Sequence, residues 1–124
     1  MMQMLAIAAG GAFGAVMRYW MSTAVYSVLG RNFPYGTLVV NVLGSLLMGI
    51  LFVFLTERAA LPPIWRAALL VGVLGAFTTF STFSIETVAL MEQGAWIKVV
   101  TNIFMSVTLC IGSAWIGLIL GRQL

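Results

Sequence analysis

A short stretch of hydroxyl, phenyl and carboxyl side chains interrupts an otherwise apolar chain. It covers residues 72–86 and reads GVLGAFTTFSTFSIE. A hydroxyl can donate to an anion or accept toward a cation, and an aromatic ring has a negative face and a positive edge. Polar groups in a lipid-embedded segment usually serve a site or a pathway. These residue types could therefore line a narrow ion path, and by themselves they leave the sign of the ion open.

Helical spacing arranges these side chains in two neighbouring rows, because residues three or four apart are neighbours on a helix. The rows are Phe77, Phe80 and Phe83, and Thr78, Thr82 and Glu86. Rows of Phe usually pack against lipid or other helices, and the polar row beside this one weakens that interpretation without removing it. Glu86 has no basic residue at helical spacing, so a proton-coupled role for its carboxyl stays open.

The elements that must hold this stretch are transmembrane helices. The chain has 124 residues, of which 62% are hydrophobic and 7% charged, whereas a soluble domain is about 25% charged. A membrane span needs about 20 apolar residues. We predict an all-α membrane protein that forms a single transmembrane domain over residues 1–124, with helices at roughly 5–29, 37–56, 64–91 and 96–120.

Composition also argues against other classes of protein. The formal charge of +3 is scattered without a basic cluster, which does not support nucleic-acid binding. There is no His, no nucleophile–base constellation and no phosphate-cradling loop, so we expect no enzyme. The N-terminus lacks a positive region, and we interpret its long apolar run as a retained helix rather than a signal peptide. The single Cys110 is expected to be a buried packing thiol.

The third helix is expected to be broken near its middle. It is too long for one straight span, and it contains Gly72, Gly75 and the Thr78–Thr79 pair, which are poor helix formers. Breaks at membrane depth occur where they line a cavity or are buried in protein. Freed carbonyl groups could bind a cation there, and the following half-helix would present free N–H groups.

Two polar residues lie inside the first two spans. Arg18 must reach an interface, find a partner or face an aqueous funnel, because a guanidinium at that depth costs several kcal/mol, roughly 2.5–3.5 at the centre. Asn41 is either an interhelical hydrogen-bonding residue or a donor to a permeant anion. Spacing alone favours the first of these roles for Asn41.

The charges leave the orientation of the chain nearly undecided. With four spans, Arg58, Arg66 and Arg122 lie on one side of the membrane, and Arg31 and Lys98 lie on the other. The positive-inside rule gives only a weak bias for such a distribution. We therefore expect insertion in both orientations and an antiparallel, dual-topology homodimer.

The residues around the break resemble the signature of the Fluc/CrcB family of fluoride channels. The resemblance rests on the run from Gly75 to Ser84, GAFTTFSTFS. It extends to the segment GTLVVN that ends at Asn41 and to the first helix, where Gly10, Gly11 and Gly14 precede Arg18. The four-span length and the even charge balance also match, so the resemblance covers essentially the whole chain.

This resemblance implies a passive, fluoride-specific channel that exports cytoplasmic fluoride and protects the cell against its toxicity. It implies a multi-pass protein of the cell inner membrane, with two pores in each antiparallel homodimer. A structural Na⁺ that is not transported would be held at the dimer centre by the backbone carbonyls of Gly75 and Thr78. Arg18 would occupy a vestibule. The implied fluoride-binding residues are Asn41, Phe80, Phe83, Ser81, Thr82 and Ser84.

Two other functions compete with this one. Small proton-coupled drug exporters also use four short helices in antiparallel dimers, but their essential acid lies in the first helix, where this chain has Arg18 and no acid. A non-transporting membrane assembly subunit would explain the stripes of small residues, such as Ser113, Gly117 and Gly121. It would leave the polar row of the third helix unexplained.

Overall fold

The chain is helical along nearly its whole length. The computed structural model describes residues 1–58 and 61–124, and all regular structure in those ranges is helical. We name the helices α1 to α5 in chain order. They are α1 (Met2–Leu29), α2 (Tyr35–Phe52, continued by a π-helical turn at Val53–Glu57), α3 (Pro63–Arg66, π-helical Ala67–Leu74 and Gly75–Phe77), α4 (Phe80–Glu92) and α5 (Trp96–Gln123).

These helices form four segments that are long and apolar enough to cross a membrane. The segments are Met2–Leu29, Tyr35–Glu57, Pro63–Glu92 and Trp96–Gln123, so the third one combines α3 and α4. Each extends the predicted range by up to three residues at one or both ends, because helical hydrogen bonding continues beyond the apolar residues that define a span. The chain is therefore a multi-pass membrane protein.

The turns between the segments occur where the sequence contains Gly and Pro. Gly30 follows α1 with φ at 83°, and Gly94 lies between α4 and α5 with φ at 73°; both angles are in the left-handed region that glycine adopts readily. Pro34 precedes α2, and Pro63 is the first residue of α3. Proline is favoured at that position because the first N–H of a helix has no intrahelical acceptor.

Two pairs of helices approach closely at glycines. A Cβ atom built at Gly14 of α1 would collide with the carbonyl oxygen of Val73 in α3, and one built at Gly49 of α2 would collide with the carbonyl oxygen of Ala114 in α5. A Cβ at Gly112 of α5 would have no atom of residues 1–58 and 61–124 within 4 Å. Small residues let membrane helices pack backbone to backbone, and these contacts hold α1 against α3 and α2 against α5.

The ends of the segments are tied together at both membrane faces. At one face, Arg122 forms an ion pair with Glu57, with 2.7 Å between Nη2 and Oε2, and Arg58 donates to the carbonyl of Gly121. At the other face, Lys98 Nζ donates to the carbonyl oxygen of Asn32 over 2.9 Å. The middle of the third segment lies between α1, α2 and α5.

Candidate functional site: an interrupted helix beside an aromatic groove

The third segment leaves helical conformation at two residues in its middle. Thr78 has φ −87° and ψ 159°, and Thr79 has φ −153° and ψ 113°, which are extended conformations. Helix α3 ends at Phe77 and α4 begins at Phe80. Backbone groups that a continuous helix would pair must therefore find other partners or stay free.

Asn41 of α2 pairs with both backbone groups of Thr79. The Thr79 N–H donates to Asn41 Oδ1 over 2.7 Å, and Asn41 Nδ2 donates to the Thr79 carbonyl over 3.0 Å. The amide side chain thus acts as a backbone partner would, and it fixes the interruption against α2. Because the Asn amide carries two N–H groups, one donor remains beyond these two bonds.

The carbonyl groups of Gly75 and Thr78 lose the partners that a continuous helix would give them. Four residues beyond Gly75, the N–H of Thr79 donates to Asn41 instead. Four residues beyond Thr78, the N–H of Thr82 donates to the Thr79 hydroxyl over 3.2 Å. Main-chain carbonyls are suitable oxygen ligands for a hard cation, so this pair fits the expected type of Na⁺ site.

Thr79 also begins α4 as its N-cap. Its hydroxyl accepts from the Thr82 N–H and donates to Thr82 Oγ1 over 2.9 Å. A side-chain oxygen at this position satisfies one of the free N–H groups of the first turn. The N–H groups of Phe80 and Ser81 precede that bond, and the positive end of the helix dipole lies there.

An open groove of about 370 Å³ runs along the interruption, and we call it the aromatic groove. Its walls come from α2, the two extended residues, α4 and α5. The lining residues are Asn41, Gly44, Ser45, Met48, Thr78, Thr79, Phe80, Phe83, Ser106, Val107, Cys110, Ile111 and Ala114. Most of this lining is apolar, and the spare N–H of Asn41 is among its few hydrogen-bond donors.

Two of the three phenyl rings of the predicted aromatic row line this groove. The ring centroids of Phe80 and Phe83 are 5.3 Å apart with planes inclined at 45°. Phe83 is 9% exposed, whereas Phe80 is 77% exposed at the open side. Phe77 does not continue the row: it is buried before the interruption, beside Gly44. The extended backbone at Thr78 and Thr79 breaks the helical spacing between Phe77 and Phe80. It also separates Thr78 from the other two members of the predicted polar row, Thr82 and Glu86.

A second cavity, of about 260 Å³, lies on the α1 side of the interruption, and we call it the arginine pocket. Its lining residues are Ala15, Arg18, Tyr19, Ser22, Thr37, Val40, Thr79 and Thr82. Arg18 is partly exposed there, and no carboxylate pairs with it in residues 1–58 and 61–124. The structure thus places Thr82 beside Arg18, away from Phe80 and Phe83, while Thr79 borders both cavities.

The remaining two hydroxyls of the expected set lie on other sides of α4. Ser84 Oγ donates to the carbonyl oxygen of Phe80 over 2.9 Å, which is the common bond of a Ser to the preceding turn of its own helix. Ser81 is exposed, with Oγ 3.4 Å from Thr79 Oγ1. Neither residue lines the aromatic groove of the single chain.

Glu86 has a partner on α1 that helical spacing could not indicate. The Tyr26 hydroxyl donates to Glu86 Oε2 over 2.9 Å, across 60 positions in the sequence. Glu86 Oε1 is buried and has no partner among the described parts of the chain. Both residues line a cavity of about 280 Å³ that also contains Arg31 and Lys98.

Two residues of helix α5, Cys110 and Asn102, have surroundings that the sequence only partly indicated. Cys110 lines the aromatic groove and is partly exposed, whereas we expected a buried packing thiol. Its spacing of four residues from Ser106 would have indicated a shared face. Asn102 is buried and donates to Thr87 of α4 over 3.0 Å; its spacing to Ser106 was visible in the sequence, but its partner on α4 was not.

The chain is similar to known proteins along its whole length. A family model described as CrcB-like protein, Camphor Resistance (CrcB), matches residues 5–118. A relative from Magnetococcus marinus is 54% identical over 98% of this chain and 98% of its own length, and one from Coxiella burnetii is 50% identical over 99% of this chain and 100% of its own length. Both are named fluoride-specific ion channel FluC.

A third relative with the same name, from Methylococcus capsulatus, is longer. It is 53% identical over 99% of this chain, but the chain spans only 54% of that relative's length. The three matches cover 98–99% of this chain, and therefore include the part of its sequence that forms the interruption. The extent of the model match and these identities show that the chain belongs to the CrcB-like family.

Proposed function

We propose that this protein is a fluoride-specific ion channel that lets cytoplasmic fluoride leave the cell passively and so limits its toxicity. The name shared by the three relatives supports this proposal. The observation that carries it is the pairing of Asn41 with Thr79 beside the rings of Phe80 and Phe83. That arrangement places hydrogen-bond donors next to apolar walls, which a strongly hydrated small anion needs in order to shed water.

The donors of the aromatic groove are held before an ion arrives. Asn41 keeps a spare N–H because its other donor and its acceptor are bound to Thr79. The N–H group of Phe80, which lines the groove, lies at the positive end of α4. The edges of the Phe80 and Phe83 rings carry partial positive charge. A fluoride ion in the groove would meet the spare N–H of Asn41 and the edges of the two rings.

Thr82 and Arg18 would act together on the α1 side of the interruption. Thr82 Oγ1 accepts from Thr79, so its own hydroxyl proton is free to donate. Arg18, without a carboxylate partner, supplies the positive charge of a vestibule. Ser81 and Ser84 would join the anion path by turning their hydroxyls from their present acceptors when an ion approaches.

The aromatic groove is open along one side, and we infer that a second copy of the chain closes it. Phe80 is 77% exposed at that side, and ion paths through membranes are surrounded by protein. The near balance of basic residues at the two faces supports an antiparallel arrangement of the copies. A two-fold axis would repeat the groove, which gives two pores in a homodimer of the cell inner membrane.

The carbonyls of Gly75 and Thr78 would hold a structural Na⁺ between the two copies. Both carbonyls lack their helical partners because Thr79 and Thr82 donate elsewhere. The positive charge of the bound ion would attract carbonyl oxygens from both copies and so hold the two interrupted segments together. The chain's own contribution is to keep these oxygens free: the Asn41–Thr79 pair does this for Gly75, and the Thr82–Thr79 bond does it for Thr78.

One feature favours a second candidate, a proton-coupled exporter. Glu86 Oε1 is buried without a partner in the described ranges, and ionisable residues inside membrane segments often belong to proton pathways. This candidate requires transport to depend on a pH gradient, which a passive channel does not require. Glu86 lies on α4, within the third segment, rather than on α1.

Efflux from liposomes tests the proposal. Purified protein is reconstituted, an ionophore supplies charge balance, and fluoride and chloride release are compared side by side. We expect rapid fluoride loss with chloride retained, and the same rate with or without a pH gradient. Retention of both ions by demonstrably dimeric protein would overturn the channel. Fluoride-independent proton flux abolished by Glu86→Gln would instead support the exporter.

A further inference from the structure

A chain of three hydrogen bonds between buried side chains joins α5 to the backbone of α4. Asn102 is 1% exposed, and its Nδ2 donates to Thr87 Oγ1 over 3.0 Å. Thr87 Oγ1 donates to the carbonyl oxygen of Phe83 over 2.7 Å. Ser106 Oγ donates to Asn102 Oδ1 over 3.4 Å. Thr87 is 5% exposed and Ser106 is 8% exposed, so water does not compete for these bonds.

The direction of every bond in this network is fixed by the groups available. The Thr87 hydroxyl has one proton, which is used on Phe83, so its oxygen can only accept from Asn102. The amide of Asn102 therefore has one orientation, with its nitrogen toward α4 and its oxygen toward Ser106. Loss of one member would leave a buried donor or acceptor unpaired, which weakens the network as a whole.

Both ends of the network reach the aromatic groove. The Phe83 ring and the Ser106 side chain line the groove from α4 and from α5. The bonds between them run behind the groove wall and set the distance between the two helices. A displacement of about 1 Å in a site that handles a dehydrated ion can change rates strongly, up to about a hundredfold in catalytic sites.

We propose that Asn102 is a positioning residue that holds Phe83 in the groove wall through Thr87, and that the anion path depends on this support. The inference rests on the proposed function, since it assigns Asn102 a part in the same ion path. Asn102 does not line the groove. Its Nδ2 acts on the groove wall through Thr87 and Phe83, and its Oδ1 contacts Ser106.

Substitution of the two network residues tests this role. We expect Asn102→Leu and Thr87→Val each to reduce fluoride efflux per folded channel by about tenfold. Thr87→Ser, which keeps the hydroxyl, should restore most of the flux. Thr23→Val on α1 is the control, because its side chain is exposed and belongs to no bond in the network. This control should conduct as the parent chain does.

A double-mutant cycle separates positioning from general destabilisation. In a Phe83→Ile background the network has lost the ring that it holds, so adding Thr87→Val, which acts on the Phe83 branch, should cause little further loss of flux. If the two losses multiply, or if Asn102→Leu conducts normally per folded channel, the proposal is wrong. Should Asn102→Leu fail to fold, Asn102→Ser serves in its place. A parent chain that releases no fluoride would refute the proposed function before any variant is compared.

Discussion

Asn41 satisfies the two backbone groups that the interrupted segment exposes at Thr79. Sequence reasoning treated interhelical bonding and anion contact as alternatives for this residue, and the structure leaves room for both. The bonds to Thr79 use one donor and the acceptor, and they aim the remaining N–H. An amide fits this task because it offers both a donor and an acceptor in one plane, as the peptide group does.

Removal of this amide should destabilise the protein as well as the ion path. Asn41→Ala leaves the N–H and C=O of Thr79 unpaired, at a cost of about 1–3 kcal/mol for each group. We expect a clear fall in the thermal unfolding temperature of the solubilised protein. Asn32→Ala is the matched control, because the exposed Asn32 takes part only through its backbone carbonyl. Equal unfolding temperatures for both variants would contradict the role of Asn41.

Substitutions of the two phenyl rings of the groove should differ in their effect on protein stability, but both should reduce fluoride efflux. Phe83→Ile removes a buried ring and should cost about 1 kcal/mol or more, whereas Phe80→Ile changes a side chain that the single chain leaves exposed. Both should weaken fluoride efflux while the dimer stays folded. Phe104→Ile, also exposed but outside the groove, is the control. Full flux in both groove variants would remove the rings from the mechanism.

The local pattern of residue types was enough to predict where the candidate site lies. It was not enough to predict contacts between residues that are far apart in the sequence. The hydroxyls of residues 78–84 indicate a site because polar groups without partners are costly in lipid. Nothing in the spacing links Tyr26 to Glu86 or Asn102 to Thr87, because those bonds join different helices. The backbone conformation at Thr78 and Thr79 had to be known before Thr82 could be assigned to one cavity and Phe83 to another.

At the scale of elements, the third segment contains two departures from α-helix. We expected an interruption near residues 75–79 from the Gly and Thr content, and the extended residues are Thr78 and Thr79. The preceding π-helical stretch, Ala67–Leu74, could not be expected. Its sequence is almost uniformly apolar, and an apolar run has no periodicity that distinguishes π-helical from α-helical hydrogen bonding.

The close packing of α1 on α3 gives a prediction at this scale. Gly14→Ala places a methyl group against the Val73 backbone, which cannot yield as a flexible side chain does. We expect a loss of about 1–3 kcal/mol from overpacking, read as a lower unfolding temperature. Gly11→Ala, three residues earlier on the same helix, meets open space. It should be neutral or slightly stabilising because alanine favours helix. If Gly11→Ala lowered the unfolding temperature more than Gly14→Ala, the close contact between Gly14 and Val73 would be wrong.

At the scale of the whole molecule, the balance of charge at the two faces predicts how the chain inserts. Arg31→Gln with Lys98→Gln leaves basic residues at one face only, and Arg58→Gln with Arg66→Gln shifts the bias to the other face. Each doubly substituted chain should insert in one orientation and conduct poorly alone. Co-expression of the two should restore fluoride efflux. C-terminal tags report the orientation, and strong flux from either chain alone would exclude the antiparallel dimer.

The proposed cation between two copies gives a second prediction at this scale. A ligand that binds only the folded dimer raises its stability in proportion to the logarithm of its concentration. Exchange of Na⁺ for N-methylglucamine should lower the unfolding temperature of the solubilised protein and favour monomers. The Asn41→Ala variant should lose much of this Na⁺ dependence, because Asn41 keeps the Gly75 carbonyl free of Thr79. No shift with Na⁺ in the parent chain would refute the site.

Glycine positions separate the surfaces that the chain fills itself from those that it leaves open. Gly14 and Gly49 are held by contacts within the chain, because any larger residue would strike Val73 or Ala114. At Gly112, no atom of the described residues lies within 4 Å of the missing methyl group. A glycine of this kind leaves the backbone of α5 accessible to another helix. In the proposed dimer, a second copy could therefore approach α5 backbone to backbone at Gly112.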